Sequence, residues 1–192
     1  ASCKAVESIT LPDSIEAIGA EAFLSNKSLK SIIIPEKVTV ISKAMFRNCH
    51  GLKSITLGSQ ITTIENWAFH SCGIESLTLP NTVTHIGQGA FLESSIKTCN
   101  IPENLTNLGV EAFYKSDIEE TVFGGNLAEI SARAFMDCDS FKSVTFNSSI
   151  TKIGESAFNH ASNLETVIFS VGLTEIEKEA FCYCPKITTL LL

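Results

Sequence analysis

An α/β solenoid of about eight turns is the architecture written into this 192-residue chain, and three features point to it. Phe recurs at Phe23, Phe46, Phe69, Phe91, Phe113, Phe135, Phe158 and Phe181, always 22 or 23 residues apart. Five residues ahead of each stands an aliphatic side chain: Ile18, Ile41, Ile64, Ile86, Leu108, Ile130, Ile153 and Ile176. Each unit also opens on an alternating run such as Leu52-Lys53-Ser54-Ile55-Thr56-Leu57. Self-similarity at such a period marks supersecondary units that bury their apolar faces only by stacking. Residues 1–192 form a single array with no stretch left for a second domain.

The unit reads in order. Its opening run ends in apolar-polar alternation rich in β-branched residues, which predicts a strand. Pro12, Pro35, Pro80 and Pro102, or Gly58 and Gly124 in two other units, close that strand and begin a turn. A second short run follows, as in Val83-Thr84-His85-Ile86, then a glycine in four units (Gly19, Gly87, Gly109, Gly154). The segment that ends in the Phe, such as Glu155-Ser156-Ala157-Phe158, reads as one helical or 3₁₀ turn that tucks the ring under the strands. After the Phe, the linkers before Ile74, Ile96 and Ile118 are one residue shorter than the others, a length change placed in a turn. Phe123, Phe141, Phe146 and Phe169 fill apolar strand slots.

Written as Leu-x-x-Ile-x-Leu-Pro-x-x-Ile-x-x-Ile-x-x-x-Ala-Phe-x-x-Cys, the unit resembles the BspA-type, or Treponema pallidum-type, leucine-rich repeat. Leu52 to Cys72, Ile74 to Ser94 and Leu29 to Cys49 match it best. The resemblance implies a right-handed superhelix with parallel strands on one face and short strands and turns on the other. Proteins similar to this are commonly surface-exposed or secreted and take part in adhesion to host matrix proteins or cells. The stretch from Ile118 to Gly125 departs from the pattern: Thr121 replaces the fourth-position aliphatic and Gly124-Gly125 the proline turn. Irregular strand pairing is expected there.

Composition narrows the function. Fourteen basic residues against 21 acidic ones, a net charge of -7, offer no stripe to neutralise phosphates, so nucleic acid is not an expected partner. Apolar runs of a few residues, such as Ile32-Ile33-Ile34, are far short of a bilayer span, and no membrane insertion is expected. The chain opens on Ala1-Ser2-Cys3 without a secretory leader, which fits a cytosolic protein or a trimmed mature one. It begins within a few residues of its first strand and ends at Leu190-Leu191-Leu192 inside a ninth, so a fragment of a longer chain is expected.

No catalytic motif is present, neither a Gly-x-Ser-x-Gly elbow, a phosphate-cradling loop nor His-Glu-x-x-His, so no enzyme and no cofactor are expected. His70-x-Cys72 and Cys182-x-Cys184 lack a second pair at zinc spacing, and no metal site follows. Cys3, Cys49, Cys72, Cys138 and Cys184 share one repeat slot, where stacked thiols point in parallel and read as packing rather than disulfides. Cys99 falls in a strand core slot. Asn26-Lys27-Ser28, Asn104-Leu105-Thr106 and Asn147-Ser148-Ser149 fit the N-glycosylation pattern.

Stacking turns exposed strand positions into rows. The second position runs Glu7, Lys30, Lys53, Glu75, Lys97, Glu119, Lys142, Glu165, placing opposite charges side by side. The third is hydroxyl-rich: Ser8, Ser31, Ser54, Ser76, Thr98, Glu120, Ser143, Thr166. Lys97, Asn100, Glu119, Glu120 and Val122 break the regularity beside the aberrant sixth unit and form the candidate protein-contact patch. A broad face of this kind suits a protein partner, such as a host matrix or cell-surface protein, better than a small molecule. The expected function is a cell-surface or secreted adhesion module, with a structural spacer and an intracellular scaffold as alternatives.

Overall fold

The computed structural model describes residues 6–123, 125–146 and 149–191. Cys3, Gly124, Asn147, Ser148 and Leu192 therefore lie outside the described residues. The chain winds into a parallel β-solenoid with two rows of short strands. The outer row comprises β1 (Ser8–Ile9), β2 (Ser31–Ile33), β4 (Ser54–Thr56), β6 (Ser76–Leu77), β8 (Thr98–Cys99), β10 (Glu120–Val122), β12 (Ser143–Thr145), β14 (Thr166–Ile168) and β16 (Thr189–Leu191). The inner row comprises β3 (Val40–Ile41), β5 (Thr63–Ile64), β7 (His85–Ile86), β9 (Asn107–Leu108), β11 (Glu129–Ile130), β13 (Lys152–Ile153) and β15 (Glu175–Ile176). All pairings are parallel and in register from turn to turn, as in Ser31↔Ser54 and Ile32↔Ile55.

Up to β14 the outer strands alternate in burial, exposed-buried-exposed at Ser31-Ile32-Ile33, so fourth-position side chains point into the core and third and fifth point out. The predicted prolines do close the strands: the Pro35 and Pro80 carbonyls accept from Val38 and Val83 N–H at 3.1 and 3.0 Å. The core is one continuous column in which successive Phe rings stack, from Phe23–Phe46 at 5.3 Å to Phe158–Phe181 at 5.2 Å between centroids. A second file, Phe123–Phe146–Phe169, stacks at 5.5 and 6.1 Å and meets the first edge-on.

The Phe-bearing segment is not a helix, which corrects the expected helical or 3₁₀ turn and with it the α/β description. No helix occurs among the described residues, so none is long and apolar enough to cross a membrane. The physical reason lies in the backbone. In every turn the residues two before and two after the Phe take left-handed φ, as at Ala44 (52°) and Asn48 (61°) around Phe46. That alternation turns every second amide along the solenoid axis: Ala44, Phe46 and Asn48 N–H donate to Asn66, Ala68 and His70 carbonyls of the next turn at 3.0, 2.8 and 2.8 Å. The amides between them, Met45, Arg47 and Cys49, bond three residues back. Left-handed φ in a non-glycine residue costs about 1 to 3 kcal/mol, and the inter-turn hydrogen bonds and ring stacking hold it.

Candidate functional site

The outward sheet face carries the second-position charges, and most are spent on one another. Glu75 bridges Lys53 at 3.4 Å and Lys97 at 2.9 Å, Lys30 meets Glu7 at 2.9 Å, and Lys142 meets Glu119 at 3.0 Å. Hydrogen bonding to Lys97, then Lys53, holds the Glu75 carboxyl below its ordinary range. All these side chains are exposed, so the pairs contribute little to stability. Two opposite-charge neighbours in the pattern, Lys97–Glu119 and Lys142–Glu165, do not form an ion pair.

The first of these gaps falls at a seam, the second across the paired β12–β14 junction. Every outer-row junction spaced at 23 residues is paired, whereas two of the three spaced at 22, β4|β6 and β8|β10, are not. Between the fifth and sixth turns the inner row also parts, at β9|β11, so that junction alone is open in both rows among the described residues. The Phe column crosses it intact, with Phe113 N–H on the Ala134 carbonyl at 2.8 Å and Phe113–Phe135 stacked at 5.1 Å. At its start the seam is pinned by Glu119 N–H on the Lys97 carbonyl at 3.1 Å. At its end Gly125, at φ +36°, lies against Glu103, where a Cβ would sit 2.0 Å from the carbonyl oxygen.

Irregular pairing was expected around Ile118–Gly125, and the break falls on the N-terminal side of that segment; β10 itself pairs regularly with β12. The parted strands leave a groove of about 470 Å³ lined by Ser76, Leu77, Thr78, Thr98, Cys99, Asn100, Glu120, Thr121, Val122, Ser143 and Thr145. Of the predicted patch, Asn100, Glu120 and Val122 line this groove, while Lys97 and Glu119 precede its strands in the charged row. Asn100 has a second occupation. Its carboxamide accepts from Leu79 N–H at 2.8 Å and donates to the Leu79 carbonyl at 3.0 Å, standing in for a strand partner.

Glu120 is exposed and makes no ion pair with the described residues, and Val122 is 67% exposed. Thr121 Oγ1 is buried with no hydrogen-bond partner. Sequence reasoning marked Thr121 as an irregularity but did not include its hydroxyl, or those of Ser76, Thr98, Ser143 and Thr145, in the site. The run of shortened linkers before Ile74, Ile96 and Ile118 was the signal that could have found them.

Thiols behave as packing groups. Cys49, Cys138 and Cys184 Sγ donate to the Phe23, Phe113 and Phe158 carbonyls at 3.0, 3.0 and 3.1 Å. Burial pushes Cys72, Cys99 and Cys138 up to about 12. Asn26 of the first sequon is buried, 6% exposed, while Asn104 is exposed.

A model of the BspA type leucine rich repeat region, in six copies, matches residues 17–141 and 84–192. The chain belongs to this family. Solved structures resemble the chain in fold. The leucine-rich repeat protein of T. pallidum superposes with a TM-score of 0.73 at 22% identity, over 82% of this chain and 78% of that one. The pneumococcal vaccine antigen PcpA gives 0.54 at 19%, over 96% and 61%. A leucine-rich repeat protein from Eubacterium ventriosum gives 0.51 at 16%, over 97% and 73%. No curated protein matches the chain in sequence.

Proposed function

We propose that this BspA-type array is a non-enzymatic recognition module that binds a protein through its outward sheet, centred on the groove between β8 and β10. The observation that carries the reading is the groove itself, at the one junction where both strand rows part among the described residues, with Asn100, Glu120 and Val122 on its walls. A stacked sheet of this type is a broad rigid platform on which a partner loses little entropy in ordering the receptor. The partner is a host matrix or cell-surface protein and the setting the cell surface or extracellular space, a reading supported by the family resemblance. The experiment is capture of matrix proteins and host-surface lysate by the array and by its Glu119→Lys/Glu120→Lys variant. Saturable capture that weakens several-fold in the variant supports the module and its centre; undiminished capture removes the centre.

A spacer role is the second reading, favoured by the internal ion pairs Lys53–Glu75–Lys97 and Glu119–Lys142, which satisfy most of the charged row without any partner. Absence of saturable capture by the array, with binding confined to another part of a longer protein, would select it.

A further inference from the structure

The inner row carries a second hollow that shares no residue with the groove between β8 and β10. Strands β5, β7 and β9 pair in register, Thr63 beside His85 beside Asn107, and these three side chains point outward while Ile64, Ile86 and Leu108 enter the core. The slot after the strand is glycine in two consecutive turns only here, at Gly87 and Gly109. Close approach requires both: a Cβ on Gly87 would lie 2.5 Å from Asn66 Oδ1, and one on Gly109 2.4 Å from the Gly87 carbonyl carbon. The floor is therefore bare backbone, and the hollow above it, about 350 Å³, is of small-ligand size.

The walls of this hollow are polar and balanced in charge. Lys43 and Glu65 bring one cation and one anion, and Glu65 already accepts the Lys43 backbone N–H at 2.7 Å. Asn66, Gln88 and Asn107 bring three carboxamides. Asn66 Oδ1 accepts the Gln88 backbone N–H at 2.9 Å, which orients that side chain and leaves its NH₂ free of the described residues. The carboxamides of Gln88 and Asn107 make no hydrogen bond with the described residues. Elsewhere the array spends such groups on itself: Asn100, Asn104 and Asn163 donate to the Leu79, Asn81 and Asp139 carbonyls at 3.0, 2.9 and 2.6 Å. A carboxamide both donates and accepts, as the hydroxyls of a sugar do. An anion here would meet Glu65, a cation would meet Lys43, and an apolar ligand would leave the carboxamides unpaired.

We infer that this hollow binds a neutral saccharide unit, whose hydroxyls are held by Asn66, Gln88 and Asn107. The site lies apart from the outer row and does not rest on the reading of that row as a protein-binding surface. Trp67, the single tryptophan of the chain, stands beside it with Lys43 Nζ 5.3 Å from its ring, so the indole reports occupancy.

The test is titration of the chain with maltotriose, mannotriose, chitotriose, lactose and sialyllactose, read by Trp67 fluorescence and by calorimetry so that a silent indole hides nothing. The wild-type chain is compared with Gln88→Ala/Asn107→Ala, whose altered side chains are exposed and whose fold is checked by its urea midpoint, and with Glu120→Gln in the other groove. Saturable binding of at least one neutral sugar is expected, weakened about tenfold in the double variant by the loss of hydrogen bonds and unchanged in Glu120→Gln. Sialyllactose is expected to bind no more tightly than lactose. Failure of every neutral sugar to saturate overturns the proposal, as does an affinity that survives the double variant. Binding of sialyllactose alone overturns the neutral class of ligand. None of these outcomes bears on protein capture by the outer row.

Discussion

Thr121 sits in a slot that its neighbours fill with Val144 and Val167, and its hydroxyl is buried without a partner. Thr121→Val is therefore expected to stabilise the array by about 1 to 2 kcal/mol, measured as a higher urea midpoint; an unchanged or lower midpoint would mean that the hydroxyl is satisfied. The thiols give a second expectation at this scale. Burial raises Cys72, Cys99 and Cys138 from 9.0 to about 12, so at pH 8 their thiolate fraction is on the order of 1 in 10,000. In the native protein, iodoacetamide should modify the partly exposed Cys182 well before them. Because the folded values are the higher ones, the unfolded chain loses its protons first. Stability from these thiols is complete below pH 9 and declines as the pH rises toward 12. A stability that is flat across that alkaline window would contradict the buried environment.

Strands and turns were legible to different degrees, and the difference is physical. The outer strands, the proline-closed turns and the Phe column follow from side-chain periodicity, which records which face is buried. The Phe segments were misread because their left-handed positions are held by Glu21, Ala44, Trp67, Arg133 and similar residues, with glycine only at Gly89. No local propensity encodes that conformation; it goes with the hydrogen bonds between turns, which in the last turn arrive from the preceding one, as Phe158 N–H on the Ala180 carbonyl. The seam was half legible, since Thr121 announced an irregularity while the parting of both rows depends on stacking that no single unit contains. Across that seam the Phe column is the principal continuous element. Phe113→Ala should cost about 3 to 5 kcal/mol and split denaturant unfolding into two transitions, whereas Phe46→Ala, flanked by paired strands, should lower stability without splitting it. A single transition in Phe113→Ala would show that the two halves remain coupled by other contacts.

At the scale of the whole molecule, a parallel solenoid presents one outward face of strands, pairs many of its charges internally and opens a groove at the seam. The groove residues Asn100, Glu120 and Val122 were visible in the sequence as exceptions to a row pattern, but the groove was not, because a gap between strands has no sequence of its own. Recognition through this face is the central claim, and site-specific photo-crosslinking tests it directly. A benzophenone amino acid is placed at Val122, on the groove wall and 67% exposed, or at Val171, outside the outer strands and 94% exposed. After irradiation with host-surface proteins, discrete adducts are expected from position 122, lost in the Glu119→Lys/Glu120→Lys background, and absent from position 171. Adducts from 171 alone, or equally from both positions, would contradict recognition through the outward sheet.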